Sequence, residues 1–155
     1  MLLYLCLWIC PGGFTDLSKY PVNYTFKAFN KLRLSDEDLL RYISMASNHM
    51  TGNPDGDNIL FAHNRLIKRK EKRKLLIVIS DGMPASSRGS GGESDFTKQV
   101  IEDIEKQKNV EIYGLGIMHP GVKDYYKYYS VVTTPEDIPT KLLELIEQKL
   151  LDNYV

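Results

Sequence analysis

The stretch Lys74-Leu75-Leu76-Ile77-Val78-Ile79-Ser80-Asp81-Gly82-Met83-Pro84 constrains the fold more than any other. Consecutive apolar residues from Leu75 to Ile79 follow a basic run and stop at a turn signal. A short apolar run rich in β-branched residues predicts a strand buried on both faces, and such strands belong to parallel sheets with helices on both sides. In those sheets ligands bind where the carboxyl ends of the strands open out. Asp81 sits at that end, Gly82 permits a sharp turn, and Pro84 stops the strand.

Around this strand the pattern alternates. Residues 2–9 and 21–29 read as strands, and the short gap between them predicts an antiparallel hairpin rather than a parallel crossover. Ser35 with Asp36, Glu37 and Asp38 predicts a capped helix start, and Leu39, Leu40, Ile43 and Ala46 give its apolar stripe. A dense turn over 51–57 leads into a second helix over 58–70. Residues 85–94 are polar and glycine-rich and read as a loop. Residues 95–108 are amphipathic, with Phe96, Val100, Ile101 and Ile104 on one side. A buried strand follows at 110–117, a tyrosine-rich helix at 122–129, a short strand at 131–133 and a final helix bearing Leu142, Leu145, Ile146 and Leu150. The order ββααβαβαβα predicts a layered α/β fold in a single domain over 1–155, the 2–29 hairpin joined to an α/β portion over 35–155.

Charge narrows the partners. Lys plus Arg and Asp plus Glu are 20 each, so no global field draws the chain to nucleic acid or to a membrane. Residues 65–74 are basic and read as a solvated tail matched to a helix dipole, with a patch for acidic partners as the alternative. Cys6 and Cys10 in one strand stand about 13 Å apart, too far to bridge each other, which favours a reducing cytoplasm. Residues 1–10 are too short to span a membrane, and they lack the leading basic residues and the cleavage site of a signal peptide.

The chemistry-bearing groups gather in two turns. The turn Asn53-Pro54-Asp55-Gly56-Asp57 precedes the helix that feeds the central strand, which places it at the same sheet edge as Asp81. Asn53, Asp55, Asp57 and Asp81 offer hard oxygen ligands of the kind that Mg²⁺, Ca²⁺ or Mn²⁺ prefers. Helix capping by Asp55 or Asp57 is the plainer reading of the same residues. His49, His63 and His119 lack metal-ligand spacing, and no Ser-His-Asp or Cys-His arrangement assembles.

Taken together, Gly13-Phe14-Thr15, Asp55-Gly56, Lys72-Arg73-Lys74, Ile79-Ser80-Asp81-Gly82-Met83-Pro84, Phe96, Ile101-Glu102-Asp103-Ile104-Glu105, Gly114-Leu115-Gly116-Ile117 and Tyr125-Tyr126 resemble a von Willebrand factor A (VWA) domain. Within that family they are similar to the C-terminal domain of the cobaltochelatase CobT subunit and its phage-encoded relatives. The resemblance implies a layered, Rossmann-like, mostly parallel sheet with helices on both faces and the hairpin as an antiparallel edge. It also implies a metal-ion-dependent adhesion site from three loops, in which Asp81 matches the third loop and Asn53, with Asp55 two residues on, the second. The first loop, Asp-x-Ser-x-Ser, has no counterpart. Asp16-Leu17-Ser18-Lys19-Tyr20 lacks the second Ser and falls in the hairpin connection. By this resemblance the chain begins one strand and one helix late. The expectation is a partial domain missing its first central strand and helix, binding Mg²⁺ or another divalent cation weakly.

The function so implied is a non-enzymatic protein-interaction domain. Its partner would be an AAA+ ATPase, in a cobaltochelatase-like complex of cobalamin biosynthesis or a phage counterpart, and it would not be catalytic alone. Two alternatives stay open. Asp81-Gly82-Met83-Pro84 is one residue short of the Asp-x-x-Met-Pro segment of receiver domains, with Asp81 as phospho-acceptor. A secreted adhesion-type VWA module would follow if residues 1–10 were a signal peptide.

Overall fold

The computed structural model describes residues 2–6, 33, 35–47, 53–80, 83–84 and 89–151. The elements are β1 (Leu2–Cys6), α1 (Asp36–Ser47), α2 (Asp55–Leu66), β2 (Lys74–Ser80), α3 (Gly89–Gln107), β3 (Glu111–Ile117), β4 (Tyr129–Val132) and α4 (Ile138–Leu151). Short 3-10 turns at Pro120–Asp124 and Pro135–Asp137 precede β4 and α4.

The strands form one sheet in the order β1-β2-β3-β4, and every described pairing is parallel. β2 and β3 are neighbours, with Leu76 opposite Ile112 and Val78 opposite Gly114, and α3 connects them. β2 is buried along nearly its whole length. Its side chains alternate between two cores, as the period of a strand requires. Leu76 and Val78 pack with Ile59, Ala62 and Leu66 of α2 and with Val100, Ile101 and Ile104 of α3. Leu75 and Ile77 face the other way, with Tyr113 and Leu145, and Ile79, Leu142 and Ile146 pack against them. The continuous apolar run is thus explained by helices on both faces of the sheet.

Several boundaries depart from the sequence reading. Ser35 does cap α1, its Oγ accepting from the Asp38 amide at 3.1 Å. α2 starts at Asp55 instead of 58 and ends at Leu66 instead of 70. α3 begins at Gly89, inside the stretch read as a loop. Its first turns are held from outside: Glu93 accepts a hydrogen bond from the Gly56 amide, and Ser94 bonds Tyr125. Tertiary contacts thus override the poor helix propensity of Gly89, Gly91 and Gly92. The tyrosine-rich helix over 122–129 is absent. A 3-10 turn and then β4 take its place, with the Gly114 amide donating to the Tyr128 carbonyl.

β1 lies directly against β2, Leu2 opposite Lys74 and Cys6 opposite Val78. β1 occupies that flank of β2 and runs parallel to it. The hairpin partner expected at 21–29 lies outside the described residues, as do Asp16 and Ser18. Among the described residues no helix is long and apolar enough to cross a membrane.

Candidate functional site at the carboxyl edge of the sheet

The turn before α2 and the segment after β2 meet. Asn53 Nδ2 donates to the Met83 carbonyl at 3.3 Å and lies 3.4 Å from Asp55 Oδ2. The backbone tightens the same turn, with the Asp55 amide on the Asn53 carbonyl at 2.9 Å and the Asn58 amide on the Pro54 carbonyl at 3.2 Å. Pro54 at the N-cap makes no side-chain cap. Proline has no amide hydrogen, and its fixed φ suits a helix start.

The cap comes from another helix. Glu93 of α3, fully buried, accepts from the Gly56 amide at 3.1 Å. A carboxylate fits there because the first amides of a helix lack intrahelical partners and the helix dipole favours negative charge. Gly56 is required by the close approach of the two helices. A Cβ there would lie 2.4 Å from the Phe96 ring. Glu93 thus supplies α2 with a cap that the sequence reading, which looked to Asp55 and Asp57, did not include. The sequence signal was faint: a lone Glu in a glycine-rich stretch.

Behind the turn lies a buried polar layer. Asp55 is 4 % exposed, Asn58 1 % and Thr97 1 %. Asn58 Oδ1, Thr97 Oγ1 and the Tyr126 hydroxyl are buried without a hydrogen-bond partner among the described residues. Burial pushes the Tyr126 hydroxyl well above the usual tyrosine range, and the charge of Asp55 pushes it further. Tyr128 and Tyr129 are exposed, but Tyr126 is an interior side chain. Its ring occupies the place where a Cβ on Gly114 would stand, 2.4 Å from Cδ2. The Gly-Leu-Gly-Ile segment of β3 is therefore shaped by Tyr126.

Of the expected metal set, Asn53 and Asp55 stand side by side in this turn, while Asp81 lies outside the described residues. Among the described residues no three His, Cys, Asp or Glu side chains gather to hold a metal. Asp55 is withdrawn from solvent, and the Asn53 amide nitrogen is engaged by Met83 and Asp55. These two residues do not by themselves fit a hard divalent cation, which takes about six oxygens. Among the described residues two exposed methionines lie near this edge. Met83 is 45 % and Met118 70 % exposed. His119 Nδ1 accepts from the Gly121 amide at 3.0 Å, and the Met83 sulfur lies 2.7 Å from where a Cβ on Gly121 would stand.

Comparison with known proteins identifies the family. The profile described as the cobalamin biosynthesis protein CobT VWA domain matches residues 35–151. No solved structure matches the chain. The match covers α1 through α4, including the Asn53 turn, β2 and the Gly-Leu-Gly-Ile strand, and it carries the VWA resemblance rather than the receiver-like one. The chain belongs to the CobT VWA domain family.

Proposed function

We propose that the chain is a non-enzymatic interaction domain that docks a protein partner on the carboxyl edge of its sheet. The partner is an AAA+ ATPase, in a cobaltochelatase-like assembly of cobalamin biosynthesis or a phage counterpart. The observation that carries this reading is the Asn53–Met83 bond. It ties the turn before α2 to the segment after β2 and sets the exposed Met83 at the rim. Methionine is flexible and polarisable, and suits a surface that must fit another protein. The polar group beside it, Asn53, gives such a contact its direction.

In this reading Asp81 contributes to binding rather than to folding, and a divalent cation there is secondary. Asp81 and Asn53 leave most of a hard cation's shell to water, so Mg²⁺ binds no more tightly than about millimolar. Titration calorimetry of the chain checks this, and micromolar Mg²⁺ would bring Asp16 or Ser18 back as ligands.

The main test mixes the full chain with an AAA+ ATPase of the cobaltochelatase type and measures complex formation by size exclusion with light scattering. A defined complex is expected, and Asn53→Ala and Asp81→Ala should each weaken it by about tenfold, or ~1.4 kcal/mol, while the melting temperature holds. No complex at high micromolar concentration overturns the reading. Insoluble Asp81→Ala protein would make Asp81 structural.

A further inference from the structure

The lateral edge of the sheet is a separate surface from the carboxyl edge. β4 is the last strand of the order β1-β2-β3-β4, and among the described residues no strand lies beyond it. The Gly114 amide donates to the Tyr128 carbonyl at 3.1 Å, and the Met118 amide to the Val132 carbonyl at 2.7 Å. Peptide groups alternate sides along a strand, so residues 128, 130 and 132 turn theirs toward β3. Tyr129 and Val131 turn theirs outward. Such an edge is a template for another strand unless charge, proline or a bulge blunts it, and Tyr129–Val132 holds no charged residue and no proline. The side chains sort by face. Tyr128 lies against Tyr113, ring centroids 5.4 Å apart, on the α4 side. Val131 packs against the core of α2 and α3, and Tyr129, two residues before it, shares that face and is 48 % exposed.

We infer that two copies of this chain pair through β4, antiparallel, about a two-fold axis at Ser130. This register gives both outward residues of each strand a partner within β4. Tyr129 of one copy faces Val131 of the other, and each such pair exchanges N–H and C=O bonds. An axis at residue 129 or 131 sets one outward residue against Lys127 or Thr133, outside the strand. The sequence fits the same axis. Tyr128-Tyr129 precede Ser130, and Val131-Val132 follow it. Antiparallel pairing about Ser130 therefore sets tyrosine opposite valine on both faces, and aromatic–β-branched pairs of this kind stabilise sheets.

A second copy suits this edge better than a foreign strand. A foreign strand would meet the same amides and carbonyls, but the chain's own β4 supplies the matching side chains in reverse order. The small Ser130 meets its own copy on the axis. Lys127, whose Nζ lies 5.2 Å over the Tyr128 ring, falls opposite Thr133, so no like charges meet. β4 is short, and the pair is accordingly weak. Stable complexes bury about 1,200 Å² or more, and one short strand pair covers less. The contact closes where copies are gathered at about millimolar effective concentration, as in a multi-subunit assembly.

The test is sedimentation velocity of the full chain from about 10 μM to about 1 mM. A monomer–dimer equilibrium is expected, with dimer dominant at the upper end. Val131→Pro removes an outward amide and no bond to β3, and should weaken the dimer at least tenfold while circular dichroism stays native. Ser130→Lys and Ser130→Glu each set like charges against one another on the axis and should weaken it likewise, whereas their equimolar mixture should restore a dimer. Should Val131→Pro not fold, the charge variants give the answer by themselves. The inference is overturned if the chain stays monomeric at about 1 mM, if folded Val131→Pro dimerises like the parent, or if the mixed charge variants associate no better than each one separately.

Discussion

Glu93→Ala isolates the contact between α2 and α3 at the carboxyl edge. The carboxylate accepts the Gly56 amide at 3.1 Å in a fully buried position. Alanine leaves that amide unpaired and buried, which costs about 1–3 kcal/mol. It also removes one buried methylene, at about 0.8 kcal/mol. Release of a buried carboxylate from its desolvation offsets part of this. The net expectation is a loss of about 2–3 kcal/mol, which in a chain of this size lowers the melting temperature by about 4–12 °C. Glu93→Gln keeps an acceptor oxygen at the same reach and should lose no more than about 1 kcal/mol. Urea unfolding followed by circular dichroism measures both variants, with a common slope as the check on two-state behaviour. An alanine variant within about 0.5 kcal/mol of the parent would refute the capping role. A glutamine variant as unstable as alanine would place the cost in charge or packing, not in the hydrogen bond.

Three further outcomes follow from the same interior. The buried Tyr126 hydroxyl ionises less readily than in the unfolded chain, so stability is intact below the ordinary value of 10.0 and falls as pH rises from there toward the raised folded value. Tyr126→Phe removes that alkaline loss and, because the hydroxyl has no partner, leaves stability at neutral pH unchanged or slightly higher, as paired thermal melts will show. Gly114→Ala forces a Cβ to within 2.4 Å of the Tyr126 ring and should cost about 1–3 kcal/mol, less in a Tyr126→Ala background. Val78→Asp buries an unpaired charge at a position with 0 % exposure and should yield no folded protein, read as loss of soluble material and of the far-ultraviolet helical signal.

The central architecture was legible because one feature overdetermined it. Leu75–Ile79 could be buried on two faces only with helices above and below, and α2, α3 and α4 provide them. The strand–helix–strand spacing from β2 to β3 fixed a parallel pair for the same reason. What the sequence hid was tertiary. Nothing local marks residues 89–94 as helical. The helix exists because Glu93 and Ser94 are bonded by residues 37 and 31 positions away. The tyrosines failed differently. Their spacing suited a helix, but Tyr126 turns inward to fill the space above Gly114, and the chain then leaves as β4. At the candidate site the sequence placed Asn53 and Asp55 together and at the correct edge. It could not show that Asp55 is withdrawn from solvent.

The carboxyl edge is therefore cross-braced, and that bears on how it could serve a partner. Asn53 is bonded to Met83, Gly56 to Glu93, Ser94 to Tyr125, and Asp55 acts on Tyr126. Each link joins segments distant in sequence, and the links share two short stretches, 53–56 and 93–94. A displacement of Met83 pulls on Asn53, whose turn sets the start of α2, and α2 is capped by the helix that leads into β3. Displacement of Met83 is thus resisted by hydrogen bonds that reach both helices. Such an edge changes little in shape on binding, which spares the ordering cost that a mobile surface carries into a complex. It also predicts that Glu93→Ala, which lies outside any contact with the partner, weakens docking in proportion to its loss of stability, whereas Glu93→Gln leaves docking intact.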